Sequence, residues 1–246
     1  MRRDLILVLL LVVLSALTGW VTSLGRVGFF MLAPATKLVA ALWEHVEIVL
    51  IAEVIAIAVA FPIGLLLSRR FFRQGAPILS AITSVAQTVP TLALVAVFSI
   101  LMGLGLRSAI VALAVYTLLP IVRNTYAGLT AADPKVKEAA RGMGMSAWQV
   151  LWRVEMPLAV PLIMAGIRTS TVLNVGSAAV AGMIGAGGLG EIIMTGVSLR
   201  FVEMILQGAA PTAALAIVLD RLLDGVTRWA TPRGLRLALR RGASDA

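Results

Sequence analysis

Long apolar runs separated by short basic or glycine-rich stretches dominate the pattern along this chain. A membrane-spanning helix needs about 20 consecutive apolar residues. The runs predict six such spans, at about 5–24, 46–67, 77–102, 108–129, 158–183 and 202–223. A transmembrane barrel does not fit, because barrel strands are only about 10 residues long and alternate strictly. The pattern therefore predicts an all-α, polytopic membrane helix bundle that forms a single domain over residues 1–246.

Composition agrees with a membrane protein and argues against a soluble one. The 246 residues are 60% hydrophobic and 13% charged, whereas a soluble domain is about 25% charged. The net charge of +9 raises the possibility of nucleic-acid binding, but the arginines lie at the ends of apolar runs and form no stripe. With no cysteine and one histidine, His45, the chain lacks a disulfide framework and a histidine-based metal site. We therefore expect no nucleic-acid partner and no bound metal.

The two ends of the chain raise separate questions of processing and extent. Arg2 and Arg3 precede the first apolar run, which is longer than the roughly 7–15 residues of a signal-peptide core, and Leu17 spoils the best cleavage site. We therefore expect an uncleaved first helix. Residues 25–44 are expected to form a mixed connection, with room for a short interfacial helix. The chain closes with a basic tail, 226–246, and no fused binding domain is expected.

The distribution of lysine and arginine predicts the orientation. Six spans place both termini on one side of the membrane, and the positive-inside rule assigns the side richer in these residues to the cytoplasm. Only Arg26, Lys37, Arg107 and Arg200 fall on the opposite side. Fourteen residues fall on the cytoplasmic side: Arg2, Arg3, Arg69, Arg70, Arg73, Lys135, Lys137, Arg141, Arg153, Arg228, Arg233, Arg236, Arg240 and Arg241. Both termini and the stretch at 133–157 are therefore predicted to be cytoplasmic.

Residues 133–157, here called the charged loop, form the most polar helix-competent stretch of the chain. Asp133-Pro134 is typical of a helix start, and Gly144 interrupts the helix that follows. A second, partly apolar segment then runs to Pro157, which we expect to break the backbone. The pattern predicts a helix–glycine–helix knob suited to a partner's groove. The alternative, an ordinary solvated loop, leaves two tryptophans unpacked, which is costly.

The charged loop resembles the EAA loop of ABC-importer permeases. That family's pattern is Glu-Ala-Ala, three residues, Gly, nine residues, then Ile-x-Leu-Pro. This chain has Glu138-Ala139-Ala140, then Gly144, then Val154-Glu155-Met156-Pro157, in which Val and Met replace Ile and Leu. The resemblance implies that the loop is a coupling helix that docks on a cytoplasmic ATPase. The implied coupling residues are Glu138, Ala139, Ala140, Arg141, Gly142, Met143, Gly144, Met145 and Ser146.

Four further strings are together similar to the permeases of glycine betaine, carnitine and choline importers. They are Gln87 to Leu94, Leu119 to Thr125, Gly142 to Met145 and Ile184 to Glu191. The resemblance implies a small osmoprotectant as solute, a second permease subunit, identical or paralogous, and an extracytoplasmic substrate-binding protein. It also implies ATPase subunits that use ATP in the cytoplasm, and a place in a bacterial or archaeal cytoplasmic membrane among lipid. The same importer class with another small solute, such as an amino acid or a sulfonate, stays open.

The glycine-rich string also matches the dinucleotide fingerprint G-x-G-x-x-G between Gly185 and Gly190. That fingerprint requires a preceding strand, and a membrane span precedes it here. We therefore interpret the string as a tight turn. The sequence has no G-x4-G-K-S/T phosphate loop, so we expect no enzyme activity, no catalytic residue and no cofactor bound by this chain.

Polar residues inside the apolar spans are candidates for a translocation path. They lie at helical spacing in the third and fifth spans and inside the fourth, and polar groups in hydrocarbon must face the bundle or a wet cavity. The alternative is that they fasten helices together, and the sequence leaves both open. The candidates are Ser84, Gln87, Pro90, Thr91, Tyr116, Ser170, Thr171, Asn174 and Ser177.

Two charged residues inside spans support a rival class. Glu53 lies in the second span and Arg168 in the fifth, and an intramembrane ionisable group invites a proton-relay hypothesis. An independent ion-coupled transporter would use both residues. That class leaves the pattern of the charged loop unexplained, and we expect Arg168 to be structural because it can snorkel to the interface.

Overall fold

The regular elements of the protein are helical wherever its computed structural model describes them, at residues 33–69, 88–232 and 234. A π-helical turn, Leu151–Glu155, joins α5 to α6, and a 3₁₀ turn, Gly182–Ile184, follows α6. The α-helices are α1 (Ala35–Leu67), α2 (Thr91–Met102), α3 (Leu106–Thr130), α4 (Pro134–Gly142), α5 (Ala147–Val150), α6 (Met156–Ala181), α7 (Leu189–Leu199) and α8 (Val202–Ala230). The all-α prediction is confirmed for this part of the chain.

Four helical segments among the described residues are long and apolar enough to cross a membrane. They are α1, α3, the continuous segment Ala147–Ile184 and α8. The predicted first span, 5–24, and residues 77–87 of the third lie outside the described residues. The count of six spans therefore stays a prediction.

Helix α1 begins at Ala35, well before the span predicted from residue 46. The Pro34 carbonyl accepts a hydrogen bond from the Leu38 N–H at 3.0 Å, so the proline lies just outside the helix, where its missing N–H costs nothing. No glycine or proline follows until Pro62. Residues 35–44, expected to be part of a mixed connection, are therefore the first turns of α1.

Pro157 does not break the backbone, and this expectation was wrong. Helix α6 runs through Pro157 and Pro161 to Ala181. The π-helical turn directly before Pro157 explains the continuity, because the Met156 N–H bonds to the Leu151 carbonyl, five residues back. A wider turn relieves the clash that a proline ring makes with the preceding turn of a regular α-helix.

The described residues form two compact units. Unit 1 comprises residues 33–56, 88–117 and 171–220. Its main core is built largely from alanine, with Ala52 of α1, Ala109 of α3 and Ala178 of α6 all fully buried beside Leu113 and Val175. Small residues let membrane helices approach closely, so this core favours tight packing between the helices of unit 1.

Unit 2 comprises residues 57–69, 118–170, 221–232 and 234. Leu129, Leu151, Ala159 and Ile163 form its buried core. Gly166 allows α6 to touch α3 there, since an added Cβ would stand 2.6 Å from the Asn124 Cβ. Gly176, further along α6, has no atom within 4 Å of an added Cβ.

Candidate functional site

The first half of the charged loop, within unit 2, is a short helix with defined ends. The Asp133 carboxylate accepts a hydrogen bond from the Lys135 N–H at 2.8 Å, and Pro134 occupies the first turn of α4. At the other end Gly144 has φ +84°, a region that L-residues rarely adopt. The Gly144 N–H bonds to the Arg141 carbonyl at 2.9 Å. The predicted helix start and glycine interruption are both confirmed.

The second half begins with a capping box at Ser146. The Ser146 side chain accepts from the Gln149 N–H at 3.3 Å, and the Gln149 side chain accepts from the Ser146 N–H at 2.8 Å. This pair satisfies two backbone donors that a helix start otherwise leaves without partners. The turn at Gly144 is therefore followed at once by an ordered helix.

Most residues of the implied coupling segment face outward. Met143 is 73% exposed, Met145 is half-buried, and six others are exposed: Glu138, Ala139, Arg141, Gly142, Gly144 and Ser146. Ala140 is the exception, because it is 2% exposed and packs inside unit 2. Its small side chain therefore serves contact with the protein's own chain, whereas Ala139 and Gly144 are open to a partner.

The two tryptophans lie outside the core of unit 2. Trp148 is 66% and Trp152 is 43% exposed, while Val150 and Leu151 between them are buried. The rings meet edge to face with centroids 5.4 Å apart. Exposed aromatic rings of this kind suit a membrane boundary or a partner surface.

A buried carboxylate, which sequence reasoning missed, ties the charged loop to the rest of unit 2. Glu155 is 8% exposed at its side chain and forms two ion pairs, with Arg69 at 2.8 Å and with Lys137 at 3.6 Å. We call Arg69, Lys137 and Glu155 the Glu155 cluster. The signal available in sequence was an acid inside an otherwise apolar segment of a loop that also carries lysines.

In unit 1, polar side chains join α1 to α6. Asn174 Nδ2 donates to Glu53 Oε2 at 3.2 Å and to the Val49 carbonyl at 3.3 Å. His45 Nε2 lies 3.1 Å from the Val175 carbonyl. Glu53, His45 and Asn174 are all buried. Glu53 and Asn174, singled out separately in the sequence, are thus brought together.

The other path candidates differ in how deeply they are buried. Ser170, Thr171 and Ser177 of α6 are buried. Thr91 at the start of α2 and Tyr116 in α3 are half-buried, and Pro90, directly before α2, is exposed. Ser84 and Gln87 lie outside the described residues.

The glycine-rich string forms a turn between helices, as predicted. Gly185, Gly187 and Gly188 have positive φ angles, and α7 begins at Leu189. The Gly188 N–H donates to the Glu44 carboxylate at 2.9 Å, so α1 holds the start of α7. Sequence reasoning did not identify this role for Glu44.

The remaining charged candidate, Arg168, is paired within unit 2. Its guanidinium donates to Asp224 of α8 at 2.8 Å, and Arg228 bonds to the other oxygen of Asp224 at 2.7 Å. This geometry supports the structural role expected for Arg168. The described residues contain no group of three His, Asp or Glu side chains placed to hold a metal ion.

Comparison with known proteins identifies the family. Residues 60–234 match the model of the binding-protein-dependent transport system inner membrane component. The chain belongs to this family. It is therefore a multi-pass inner-membrane protein and a subunit of a transport system, and the ion-coupled alternative loses its support.

Similar proteins of the same family include permeases of osmoprotectant importers. The chain is 45% identical to the glycine betaine/carnitine/choline transport system permease protein OpuCB of Bacillus subtilis, over 78% of this chain and 88% of that protein. It is 44% identical to the choline transport system permease protein OpuBB of Bacillus subtilis, over 79% and 88%. It is 41% identical to the osmoprotectant import permease protein OsmW of Salmonella typhimurium, over 84% and 98%.

Solved structures show the same fold. A chain of the inward-facing MetNI methionine ABC transporter matches with a TM-score of 0.69 and 23% identity, over 80% of this chain and 97% of that one. A chain of an amino acid ABC transporter crystallised with histidines matches with a TM-score of 0.65 and 20% identity, over 83% and 97%. At these identities the likeness concerns the fold alone.

Proposed function

We propose that this chain is the membrane-spanning permease subunit of an ATP-driven importer for a small osmoprotectant, such as glycine betaine, choline or carnitine. The observation that carries the proposal is identity above 40%, over more than three quarters of the chain, to permeases of such importers. A separate binding protein would deliver the solute. ATP would be used by a partner subunit, while this chain itself performs no chemistry.

The geometry of the charged loop supports a coupling role. Helix α4 offers a short, exposed surface made of Glu138, Ala139 and Arg141, and the glycine turn ends it sharply. Small side chains allow a partner groove to approach, and the two charged groups give it polar contacts. We therefore assign the ATPase contact to the exposed residues of 138–146 and give Ala140 an internal packing role.

The buried polar residues of α6 are better explained as a seam than as a path. Asn174 Nδ2 donates to the Val49 carbonyl and to Glu53, so its amide nitrogen is occupied within unit 1. Interhelical bonds of this kind contribute about 0.6 kcal/mol each in membranes. We assign Asn174 and Glu53 to the seam and keep Thr91 and Tyr116, which are less buried, as candidates for the path.

Partners and orientation follow from the same proposal. The assembly would pair this chain with a second permease subunit, two cytoplasmic ATPases and an extracytoplasmic binding protein. The asymmetry of lysine and arginine supports a cytoplasmic position for both termini and for the charged loop. A quaternary ammonium ligand is usually held by aromatic rings, and Tyr116 is the one aromatic residue among the path candidates, so selectivity would reside in the binding protein.

Reconstitution tests the proposal directly. The chain is purified with its ATPase and placed in liposomes with the binding protein and ATP inside, and uptake of labelled glycine betaine, choline and carnitine is measured. Histidine and methionine serve as matched comparators. We expect uptake that requires ATP and the binding protein, and that excludes the two amino acids.

Two results would contradict the proposal. Uptake of an amino acid in preference to all three osmoprotectants would keep the importer class and reject the solute. Uptake that persists without ATP and collapses with an ion gradient would reject the class and favour an ion-coupled transporter.

A further inference from the structure

The Glu155 cluster joins three separate elements within unit 2. Glu155 lies at the end of the π-helical turn that leads into α6, Arg69 follows the end of α1, and Lys137 belongs to α4. The loop pattern of ABC-importer permeases leaves the position of Glu155 unspecified. The cluster is therefore a feature of this chain's structure that its resemblance to the family does not explain.

Both cations of the cluster are themselves held by the chain. Arg69 donates to the Ser68 hydroxyl at 2.7 Å and to the Leu65 carbonyl at 3.4 Å, which anchors its guanidinium on the end of α1. Lys137 Nζ donates to the Leu129 carbonyl at 3.3 Å, near the end of α3. These bonds restrict the positions of the two positive charges, so Glu155 is held between Arg69 and Lys137.

The backbone directs Glu155 inward. The π-helical turn places Leu151 and Glu155 on the buried side, with Trp152 and Arg153 on the exposed side. Such turns are uncommon and often occur at functional positions. A buried carboxylate is costly unless opposite charges lie close to it. Removing one partner therefore leaves a buried charge without compensation.

We propose that Glu155 is a positioning residue, which locks α4 to the end of α1 and the start of α6 so that the three move as one body. This inference rests on the proposed function, since it concerns how motion received by α4 reaches the membrane helices. Lys137 provides the link from α4, and Arg69 provides the link to α1. Glu155 itself touches neither the solute nor ATP.

The readout that separates this role from simple stabilisation is the ratio of ATP hydrolysed to solute imported. The full complex with wild-type permease, Glu155→Gln, Lys137→Met or both changes is reconstituted in liposomes, and both rates are measured. The exposed face of α4 is unchanged in all of them, so the ATPase should stay bound. We expect Glu155→Gln and Lys137→Met each to raise the ratio by about 2- to 30-fold, the range typical of residues that carry coupling.

The double variant and a control complete the test. If Glu155 and Lys137 act through one contact, the double variant is no worse than the more affected single variant. Glu191→Gln is the matched control, because its ion pair with Lys37 at 3.4 Å is about half exposed and such pairs contribute little. We expect it to leave the ratio unchanged.

The outcomes separate failure of the inference from failure of the proposed function. Unchanged ratios in both single variants, or single effects that multiply in the double variant, would overturn the positioning role while wild-type import stands. Absence of ATP-dependent import by the wild-type complex would contradict both the positioning role and the proposed function. If Glu155→Gln does not accumulate in the membrane, Lys137→Met decides alone, since Glu155 then keeps Arg69: a raised ratio supports the role and an unchanged one refutes it.

Discussion

At the scale of single residues, Gly142 and Gly144 form a natural matched pair. Both are exposed, and neither has an atom within 4 Å of an added Cβ. They differ in backbone conformation, because Gly144 alone of the two has a positive φ, +84°. Any effect that alanine has at Gly144 but not at Gly142 is therefore due to backbone strain and not to lost space.

We predict that Gly144→Ala weakens coupling while Gly142→Ala does not. An L-residue in the left-handed region costs about 1–2 kcal/mol, which shifts the population of the native turn by about 5- to 30-fold. Retention of the ATPase during purification and ATP-driven uptake should both fall for Gly144→Ala. Equal behaviour of the two variants would show that the turn at Gly144 does not position the coupling surface.

A second prediction concerns Glu53. Glu53→Gln keeps an oxygen that can accept from Asn174 Nδ2, so a seam role predicts ATP-driven uptake close to wild type. Glu53→Ala removes the acceptor and should lower the midpoint of thermal unfolding in detergent. Loss of uptake in Glu53→Gln, with normal membrane insertion and unchanged unfolding, would contradict the seam and favour a proton relay.

The sequence predicted residue roles well where local chemistry decides them and poorly where distant contacts do. Asp133 and Gly144 could be identified because capping and positive φ depend on neighbouring residues. The partners of Glu155 and Glu44 could not, since Arg69 and Gly188 are far away in the sequence. The burial of Ala140 could not be predicted for the same reason, because it depends on which face of α4 the rest of unit 2 covers.

At the scale of elements, helices end at glycines that have a positive φ, such as Gly103, whereas Pro62 and Pro161 lie inside helices. Gly103 and Gly105 have positive φ angles in the short connection between α2 and α3. Two expectations about helix bounds were wrong. Residues 35–44 are polar enough to suggest a connection but contain no helix breaker, and Pro157 is accommodated by a π-helical turn that composition does not reveal.

The third prediction compares two glycines of α6. Gly166→Ala would place a Cβ 2.6 Å from the Asn124 Cβ and 2.9 Å from the Pro120 carbonyl, and overpacking of this kind costs about 1–3 kcal/mol. Gly176→Ala meets open space and gains up to about 1 kcal/mol of helix propensity. The midpoint temperature of thermal unfolding in detergent should therefore fall for Gly166→Ala and stay the same or rise for Gly176→Ala. A fall confined to Gly176→Ala would contradict the packing described for α3 and α6.

At the scale of the whole molecule, orientation is the property that charge distribution predicts most directly. The fourteen-to-four division of lysines and arginines outside the spans predicts that residues 130–157 lie in the cytoplasm and α7 on the opposite side. Ala131 and Ser198 are small, exposed residues on the two predicted sides. Because the chain has no cysteine, a single cysteine at either position can be labelled without background.

The fourth prediction uses these two positions. In cells whose inner membrane is intact and accessible, Ser198→Cys should react with a membrane-impermeant maleimide, and Ala131→Cys should react only after the membrane is permeabilised. The cysteine-free wild type provides the blank, and labelling of both variants in detergent confirms that both thiols are reactive. The reverse labelling pattern would show that the topology is the inverse of the predicted one. It would move the charged loop away from any cytoplasmic ATPase, so the coupling role of α4 depends on this result.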